Sequence, residues 1–208
     1  MDPAARLARS LQPYVRDPRV LAAIAAVPRH LFVPAGSEQR AYEDIALPIG
    51  RGQTISQPLV VARMLDLLTL EPNDRVLDVG TGSGWHAALL AQLAGHVWTV
   101  ERIPQLSRWA ATNLRAAGIG PEHVTVLVGD GSRGLPGATP FDAVNVAAAA
   151  WPDVPNALIQ ALAPGARLVA PVGASGQQLV LIERDTSGSA LRRTGLEAVQ
   201  FVPLIEGE

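Results

Sequence analysis

Three glycines at alternate positions, Gly80, Gly82 and Gly84, follow an apolar run at 75–79 and precede a segment with helical spacing. Glycine lets the backbone turn sharply and lets a ligand approach the main chain without a Cβ in the way. The helix that follows would present free N–H groups at its first turn. This pattern is typical of a nucleotide-like ligand site, although a tight strand-to-helix turn would use the same residues.

The spacing of the glycines discriminates between ligands. A dinucleotide-binding loop reads GxGxxG, whereas this loop reads GxGxG and has Trp85 in the place of the third glycine. Asp78 stands two residues before the first glycine, where a carboxylate attracts an ammonium or sulfonium and repels a pyrophosphate. We therefore expect S-adenosylmethionine, which would leave as S-adenosylhomocysteine. The expected binding loop comprises Asp78, Gly80, Thr81, Gly82, Ser83 and Gly84.

Two more acidic residues follow predicted strands. Glu101 ends the strand after the glycine loop, and its position favours a carboxylate that accepts both ribose hydroxyls over a solvated charge. Asp130, followed by Gly131, comes after the third strand. Its carboxylate could accept from an adenine amine or could simply stabilise a turn, and these two roles of Asp130 stay open at this point.

Other catalytic chemistries are limited by composition. The chain has neither lysine nor cysteine, which excludes a Schiff-base lysine, a phosphate-loop lysine, disulfides and thiolate chemistry. The four histidines are scattered without the spacing of metal ligands, so we expect no metal site. Ser56 precedes a helix that starts at Pro58, and from the residues alone N-capping of that helix is its favoured role.

Alternating strand and helix patterns must position these residues. Asp17-Pro18 begins a short helix, residues 28–57 are irregular, and a second helix starts at Pro58. Within the irregular stretch, residues 41–57 could be either a lid over the cofactor or an ordered connector. After residue 72 the alternation predicts a mostly parallel, doubly wound α/β sheet with helices on both faces. The predicted strands are 75–79, 96–101, 124–129, 141–148 and 166–172; the predicted helices are 85–94, 105–117 and 153–163; and an edge hairpin pairs 177–185 with 196–205.

Length and charge give the broader expectations. With 208 residues and 48% hydrophobic residues the chain suits one domain, divided into a helical, substrate-binding extension at 1–72 and a cofactor-binding core at 73–208. The net charge of −2 argues against a nucleic-acid partner. The sequence shows no membrane span or secretory signal, so we expect a cytoplasmic monomer.

Several segments together resemble the protein-L-isoaspartate O-methyltransferases, a family of class I S-adenosylmethionine-dependent methyltransferases. The glycine loop and Glu101 carry only the superfamily resemblance, whereas GQTIS-x-P at 52–58 is much more specific. The segments that carry the resemblance are VPRHLFVP (27–34), AYEDIALPIGRGQTISQP (41–58), VLDVGTGSGWHAALLAQLAGHVWTVER (76–102), VGDGSRG (128–134) and QFVPL (200–204).

The resemblance implies methylation of the α-carboxylate of L-isoaspartyl residues in damaged proteins and peptides, with repair through a succinimide. It implies Ser56 as the active-site residue, which reverses the capping interpretation, and Thr54, Ile55 and Gln57 beside it as substrate-binding residues. Trp85 and His86 stand where the family often has Tyr and Gln, and Leu59 where many members have a larger aromatic residue or His. Alternatives are a relative with another methyl acceptor, a non-catalytic S-adenosylmethionine-binding protein, and a nicotinamide oxidoreductase.

Overall fold

A computed structural model describes residues 2–207 of the chain. Within these residues, seven strands form one sheet and two short strands form a separate antiparallel hairpin. The strands are β1 (Leu47–Gly50), β2 (Gln53–Ile55), β3 (Arg75–Val79), β4 (His96–Glu101), β5 (Val124–Val128), β6 (Phe141–Val146), β7 (Leu162–Val172), β8 (Gln178–Arg184) and β9 (Leu191–Ala198). The helices are α1 (Pro3–Leu11), α2 (Pro18–Ala26), α3 (Pro58–Leu68), α4 (Trp85–Leu90), α5 (Pro104–Ala116) and α6 (Asn156–Gln160).

The strand order of the large sheet creates a crevice. The order is β5-β4-β3-β6-β7-β8-β9, with β3 to β7 parallel to one another and β8 and β9 antiparallel. The chain winds outward from β3 to β5 and then returns to place β6 on the other side of β3. Ligands of open α/β sheets bind at such a switch point, beyond the carboxyl ends of the strands.

The predicted fold class is confirmed: the sheet is mostly parallel and ends in an antiparallel hairpin. The helix predicted from Asp17-Pro18 is also present, since Pro18 is its first residue and the Asp17 side chain accepts a hydrogen bond from the Arg19 amide. Proline suits that position because the first helical amides have no partner within the helix.

Four predicted elements have boundaries that are wrong by three residues or more, and one of them is the strand expected at 166–172, which begins at Leu162. The helix expected at 85–94 ends at Leu90, and the one expected at 153–163 covers only Asn156–Gln160, because β7 already begins at Leu162. The last strand is 191–198 rather than 196–205. Its arginines extend it: Arg192 pairs with Glu183 of β8, and Arg193 pairs with Asp153. Because ion pairs rather than alternating apolar residues stabilise this edge strand, the hydrophobic pattern of the sequence does not predict it.

The amino-terminal third packs against the sheet. Helix α1 and the β1–β2 hairpin lie where the sequence indicated no particular element. One buried apolar cluster runs from Leu11 and Phe32 through Met64 to Leu90 and Val97. The division of the chain near residue 72 stays a prediction. Among the helices of residues 2–207, none is long and apolar enough to cross a membrane.

Candidate active site

The glycine loop lies between β3 and α4, at the switch point of the sheet. Gly80, Gly82 and Gly84 have φ angles of 94°, 55° and 91°, a region that side chains with a Cβ rarely adopt. A Cβ on Gly84 would come within 3.2 Å of the Cβ of Ala110. Glycine is therefore needed here both for the backbone turn and for the close packing of α5.

A cavity opens beside this loop, which we call the glycine-loop cavity. Its lining includes Gly80, Gly82, Glu101, Gly129 and Gly131. A Cβ on Gly131 would lie 2.6 Å from Cγ1 of Val79, so only glycine leaves this wall undistorted. Such a cradle of bare backbone fits a flat group such as the adenine ring of the expected cofactor.

Glu101 forms the acidic end of the glycine-loop cavity. The residue is only 6% exposed, and its two carboxylate oxygens accept from different backbone amides. Oε2 lies 2.9 Å from the Gly82 nitrogen, and Oε1 lies 2.9 Å from the Ile103 nitrogen. A carboxylate has about four lone-pair sites, so both oxygens keep capacity to accept ligand hydroxyls. The contact to Gly82 also ties the end of β4 to the glycine loop.

Asp78 lies behind the glycine loop, fully buried. Its oxygens accept from Thr99 Oγ1 at 2.7 Å and from Asn145 Nδ2 at 2.7 Å, and the Thr99 hydroxyl also bonds that of Thr81 at 2.6 Å. Burial raises the pKa of Asp78, while the bonds from Thr99 and Asn145 oppose that rise. This geometry favours a role in positioning the loop, and a direct contact of Asp78 with the cofactor stays a prediction.

Asp130 stabilises the turn after β5. Its Oδ1 accepts from the amide and hydroxyl of Ser132, at 3.0 and 2.6 Å, and its Oδ2 accepts from the Gly207 amide at 2.9 Å. Burial acts to raise the pKa of Asp130, but these bonds and the nearby Arg133 outweigh it and lower the pKa. Of the two roles left open by the sequence, the contacts support the turn, and an adenine contact stays a prediction.

A second cavity, the Ser56 cavity, has a volume of about 590 Å³. Ser56, Thr54 and Gln57 form one wall, and residues 198–202 form another. The cavity is large enough for an amino-acid side chain and its neighbouring backbone. Three of the four predicted substrate-binding residues therefore share one wall.

Capping of helix α3 falls to Asp44 rather than to Ser56. The helix begins at Pro58, and Asp44 Oδ1 accepts from the Leu59 amide at 2.8 Å. Asp44 Oδ2 also accepts from Gln57 Nε2 at 3.1 Å. The carboxylate of Asp44 satisfies an amide in the first turn, so helix capping does not explain the position of Ser56.

A third, small cavity, the junction cavity, lies between the other two. Thr54 and Ala147 line all three cavities. The junction cavity shares Gly80 and Gly82 with the glycine-loop cavity and Ser56 with the Ser56 cavity. Its full lining is Thr54, Ile55, Ser56, Val61, Gly80, Thr81, Gly82, Ser83, Trp85, His86 and Ala147. The three cavities thus adjoin one another and together form a crevice that extends from Glu101 to Ser56.

A buried arginine holds the segment that carries Ser56. Arg29 is 1% exposed, and its guanidinium donates to the carbonyls of Ala41 at 2.5 Å, Ile45 at 3.2 Å and Ser56 at 3.0 Å. Burial lowers the pKa of Arg29 to about 10, partly offset by Asp44. The side chain therefore stays charged at neutral pH. These bonds favour an ordered connector over a mobile lid for residues 41–57.

The carboxyl-terminal tail crosses the crevice. Residues 199–202 line the Ser56 cavity, and residues 202–205 line the glycine-loop cavity. The tail is tied to the end of β6 by two backbone bonds of 2.8 Å, from the Ala149 amide to the Val202 carbonyl and from the Leu204 amide to the Ala149 carbonyl. Together with Arg29, the tail is the part of the site that residue-by-residue reasoning missed.

The structure brings the predicted residues into one crevice, although their individual roles stay predictions. Thr54, Ser56 and Gln57 reach the Ser56 cavity, whereas Ile55, Thr81 and Ser83 line the junction cavity. Asp78 and Asp130 lie behind the walls. Within residues 2–207, no group of three or more His, Asp or Glu side chains could hold a metal ion.

Comparison with known proteins gives a consistent result. Residues 6–208 match the family model described as protein-L-isoaspartate(D-aspartate) O-methyltransferase. A protein-L-isoaspartate O-methyltransferase of Bordetella petrii is 55% identical, covering 92% of this chain and 70% of its own. One of Methanoregula boonei is 50% identical, covering 92% and 86%. A solved Plasmodium falciparum protein, described as a member of that family in complex with S-adenosyl-L-homocysteine, superimposes with a TM-score of 0.85 over 100% of both chains at 23% identity.

Proposed function

Because this chain belongs to the protein-L-isoaspartate(D-aspartate) O-methyltransferase family, we propose that its crevice brings an isoaspartyl carboxylate to the methyl group of S-adenosylmethionine. The chain is thus an enzyme of protein repair, and its substrates are proteins and peptides that contain isoaspartyl residues. The observation that carries the proposed roles of the residues is that the three cavities adjoin and share Thr54 and Ala147, with Glu101 at one end and Ser56 at the other.

The cofactor would lie along the glycine loop. When bound, S-adenosylmethionine supplies an electrophilic methyl group on a sulfonium, and S-adenosylhomocysteine is left after transfer. Glu101 would accept from the ribose hydroxyls, and the backbone of Gly129 and Gly131 would face the adenine. Asp78 and Asp130 would act by holding the loops that face the cofactor, because neither residue lines the glycine-loop cavity and their carboxylates accept hydrogen bonds within the protein.

The acceptor would enter the Ser56 cavity. An α-carboxyl group titrates near pKa ~3.5 and is ionised at neutral pH, so the attacking oxygen needs no general base. The Ser56 hydroxyl would donate to one carboxylate oxygen and turn the other toward the methyl group. Positioning of this kind can supply ~7–11 kcal/mol of a barrier. After the product leaves the crevice, the neighbouring backbone amide nitrogen would attack the ester carbonyl and methanol would leave, which forms a succinimide.

Isoaspartate differs from aspartate in reach. In isoaspartate the main chain leaves through the side-chain carbon, so the backbone is one methylene longer at that residue. Thr54 and Gln57 flank Ser56 and would accommodate this detour. A misplacement of about 1 Å can cost a hundredfold in rate, so normal aspartate should react far more slowly.

Methylation of matched peptides tests this proposal. With labelled S-adenosylmethionine, the isoaspartyl peptide should be methylated and its aspartyl isomer should not, and mild alkali should release methanol from the ester. Ser56→Ala should lower kcat/KM by about tenfold to a hundredfold, the value of a hydrogen bond to a charged group, with little change in cofactor affinity. Ser10→Ala, on helix α1, is the matched control.

The outcomes separate the alternatives. Equal labelling of both peptides would indicate a broader carboxyl methyltransferase, whereas tight cofactor binding without labelling would indicate a different acceptor. The net charge of −2 supports the further proposal that no nucleic acid takes part. A monomer acting in the cytoplasm is part of the same proposal, and sedimentation of the purified protein tests its oligomeric state.

A further inference from the structure

A further cavity, which we call the outer groove, adjoins the Ser56 cavity and has a volume of about 600 Å³. The lining residues that the two cavities share are Gln57, Val60, Ala198 and Val199. None of these four lines the junction cavity, which meets the Ser56 cavity at Thr54, Ser56 and Ala147 instead. The outer groove therefore continues the crevice on the side away from the cofactor, beyond the place proposed for the isoaspartyl carboxylate.

One arginine joins the three segments that form the outer groove. Arg63, on helix α3, donates from Nε to Oε1 of Glu197 on β9 at 3.0 Å and from Nη1 to the carbonyl of Tyr14 at 3.1 Å. These bonds connect residues 13–16, helix α3 and the end of β9, which are far apart in the sequence. Because contacts within the protein hold its walls, the groove is preformed, which lowers the entropic cost of binding a ligand there.

The charges around the outer groove balance one another. Arg63 pairs with Glu197 and lies 3.5 Å from an oxygen of Asp66. Arg16 supplies the second positive charge of the lining, and its own amide donates to Asp66 at 3.0 Å. Two arginines and two carboxylates thus lie together. The groove consequently has no excess charge that would attract a strongly acidic or basic residue.

The rest of the lining is largely apolar, with one aromatic residue. Tyr14 is 55% exposed, and Pro13 beside it is exposed as well. Leu59 and Val60, in the first turn of α3, are half-buried and pack against the core while they line the groove. Such a surface gains free energy when an aromatic or aliphatic side chain covers it. The groove therefore suits a large uncharged side chain.

We propose that the outer groove binds the side chain of a residue next to the isoaspartyl residue, and that it selects large apolar side chains, above all aromatic ones. This inference rests on the proposed function, which brings the isoaspartyl carboxylate to Ser56. Since the junction cavity leads to the cofactor, the remainder of the acceptor chain extends in the other direction, where the outer groove adjoins. Tyr14 is then a specificity-determining residue for the acceptor.

Kinetics with variants of one isoaspartyl peptide test this inference. Phenylalanine is placed either directly before or directly after the isoaspartyl residue and is compared with alanine at the same position. At one of the two positions, phenylalanine should lower KM by about threefold to tenfold with little change in kcat, because the groove partly buries an aromatic side chain. Lysine or glutamate at that position should give no such decrease in KM.

Substitution of Tyr14 makes the test specific to the groove. Tyr14→Ala removes the exposed ring and should reduce the preference for phenylalanine to about twofold or less. The KM for the alanine peptide and the affinity for S-adenosylhomocysteine should stay unchanged. Tyr14→Phe keeps the ring and should keep the preference. Trp151→Ala is the matched control, since this aromatic residue is 63% exposed and lines neither the Ser56 cavity nor the outer groove.

The outcomes are separable. The inference is overturned if phenylalanine lowers KM at neither position, or if the preference is the same in the wild type and in Tyr14→Ala. It is also overturned if Tyr14→Ala raises KM for the phenylalanine and alanine peptides by the same factor, because the residue would then support the site as a whole. Failure of the wild-type protein to methylate the alanine peptide would instead overturn the proposed function.

Discussion

The two ends of the crevice are assembled from the chain in different ways. At the glycine-loop end, most of the lining residues lie at or just beyond the carboxyl ends of β3, β4, β5 and β6, so a ladder of parallel strands places them, and residues 202–205 of the tail complete the lining. At the Ser56 end, the wall combines residues 54–60 with residues 198–202, which lie far apart in the sequence. The first end is a property of the sheet, whereas the second depends on contacts between distant segments.

Arg29 illustrates this dependence. Its single guanidinium holds three carbonyls of the segment that carries Ser56. At the other end, the Glu101 carboxylate accepts hydrogen bonds from two backbone amides. One belongs to Ile103, two residues further along the chain, and the other belongs to Gly82 in the glycine loop. We therefore expect substitutions at the two ends to separate acceptor binding from cofactor binding.

The largest effect is expected from Arg29→Met. Loss of the guanidinium leaves three buried or half-buried carbonyls without donors, and the free energy of unfolding should fall by about 3–5 kcal/mol. Below its lowered melting temperature, the variant should show a raised KM for the isoaspartyl peptide and an unchanged affinity for S-adenosylhomocysteine. Chemical denaturation, peptide kinetics and calorimetry measure these quantities.

Arg108→Met, at an exposed position of α5, is the control for Arg29→Met and should leave all three quantities unchanged. If the cofactor affinity of the Arg29 variant fell as far as its peptide KM rose, the two ends would not be independent.

Glu101→Ala tests the opposite end. It removes the acceptor for the ribose hydroxyls and should weaken binding of S-adenosylmethionine by about 1.5–3 kcal/mol, the range for hydrogen bonds to a charged group. The peptide KM at saturating cofactor should stay unchanged. Glu122→Ala, at an exposed position before β5, is the control in titration calorimetry. Unchanged affinity in the Glu101 variant would remove this residue from the cofactor site.

The same difference explains what the sequence could predict. The strand–glycine loop–helix unit around Gly80 is local, and the three φ angles above 50° explain why glycine recurs there. Ser56 was recognised through a family resemblance, because its local pattern alone favoured helix capping. In the structure that capping contact is made by Asp44, which accepts a hydrogen bond from the amide of Leu59, fifteen residues later in the chain.

The missed residues share a physical cause. A buried arginine such as Arg29 contradicts the usual exposure of charged side chains, so sequence pattern gives no signal for it. Arg192 and Arg193 also lie outside any apolar pattern, and their partners on β8 and at Asp153 hold them in a strand. In each case the partner lies across the fold, and one sequence without its contacts does not reveal it.

The junction between the two ends should be sensitive to acid. The pKa of His86 falls from 6.5 to about 3 on folding, because burial disfavours the charged imidazolium. In the unfolded chain His86 therefore binds a proton below pH 6.5, whereas in the folded protein it binds one only below about pH 3. The stability contributed by the neutral ring is complete above pH 6.5 and is lost as the pH falls, by about 1.4 kcal/mol per pH unit.

At pH 5 this loss amounts to about 2 kcal/mol relative to pH 7. His86→Gln has no such group, so its free energy of unfolding should decline less between pH 7 and pH 5, whereas His123→Gln should follow the wild type. Urea denaturation at each pH measures the difference. Parallel curves for the wild type and His86→Gln would show that His86 titrates normally in the folded protein.

The smallest effect is expected from Asp130→Ala, which tests how the carboxyl-terminal tail supports the cofactor end of the crevice. The substitution removes the bonds to Ser132 and Gly207, and with them the support of the cavity wall. We expect binding of S-adenosylhomocysteine to weaken by about 1 kcal/mol, the value of a lost cap.

If Asp130 acts only through the turn, binding of the inosine analogue of S-adenosylhomocysteine, which lacks the adenine amine, should weaken by the same amount. If the carboxylate accepts from that amine, the variant should lose affinity for the adenine form alone and bind the two ligands more equally. The position of Asp130 favours the first result, because this residue does not line the glycine-loop cavity and its oxygens accept from Ser132 and Gly207 instead.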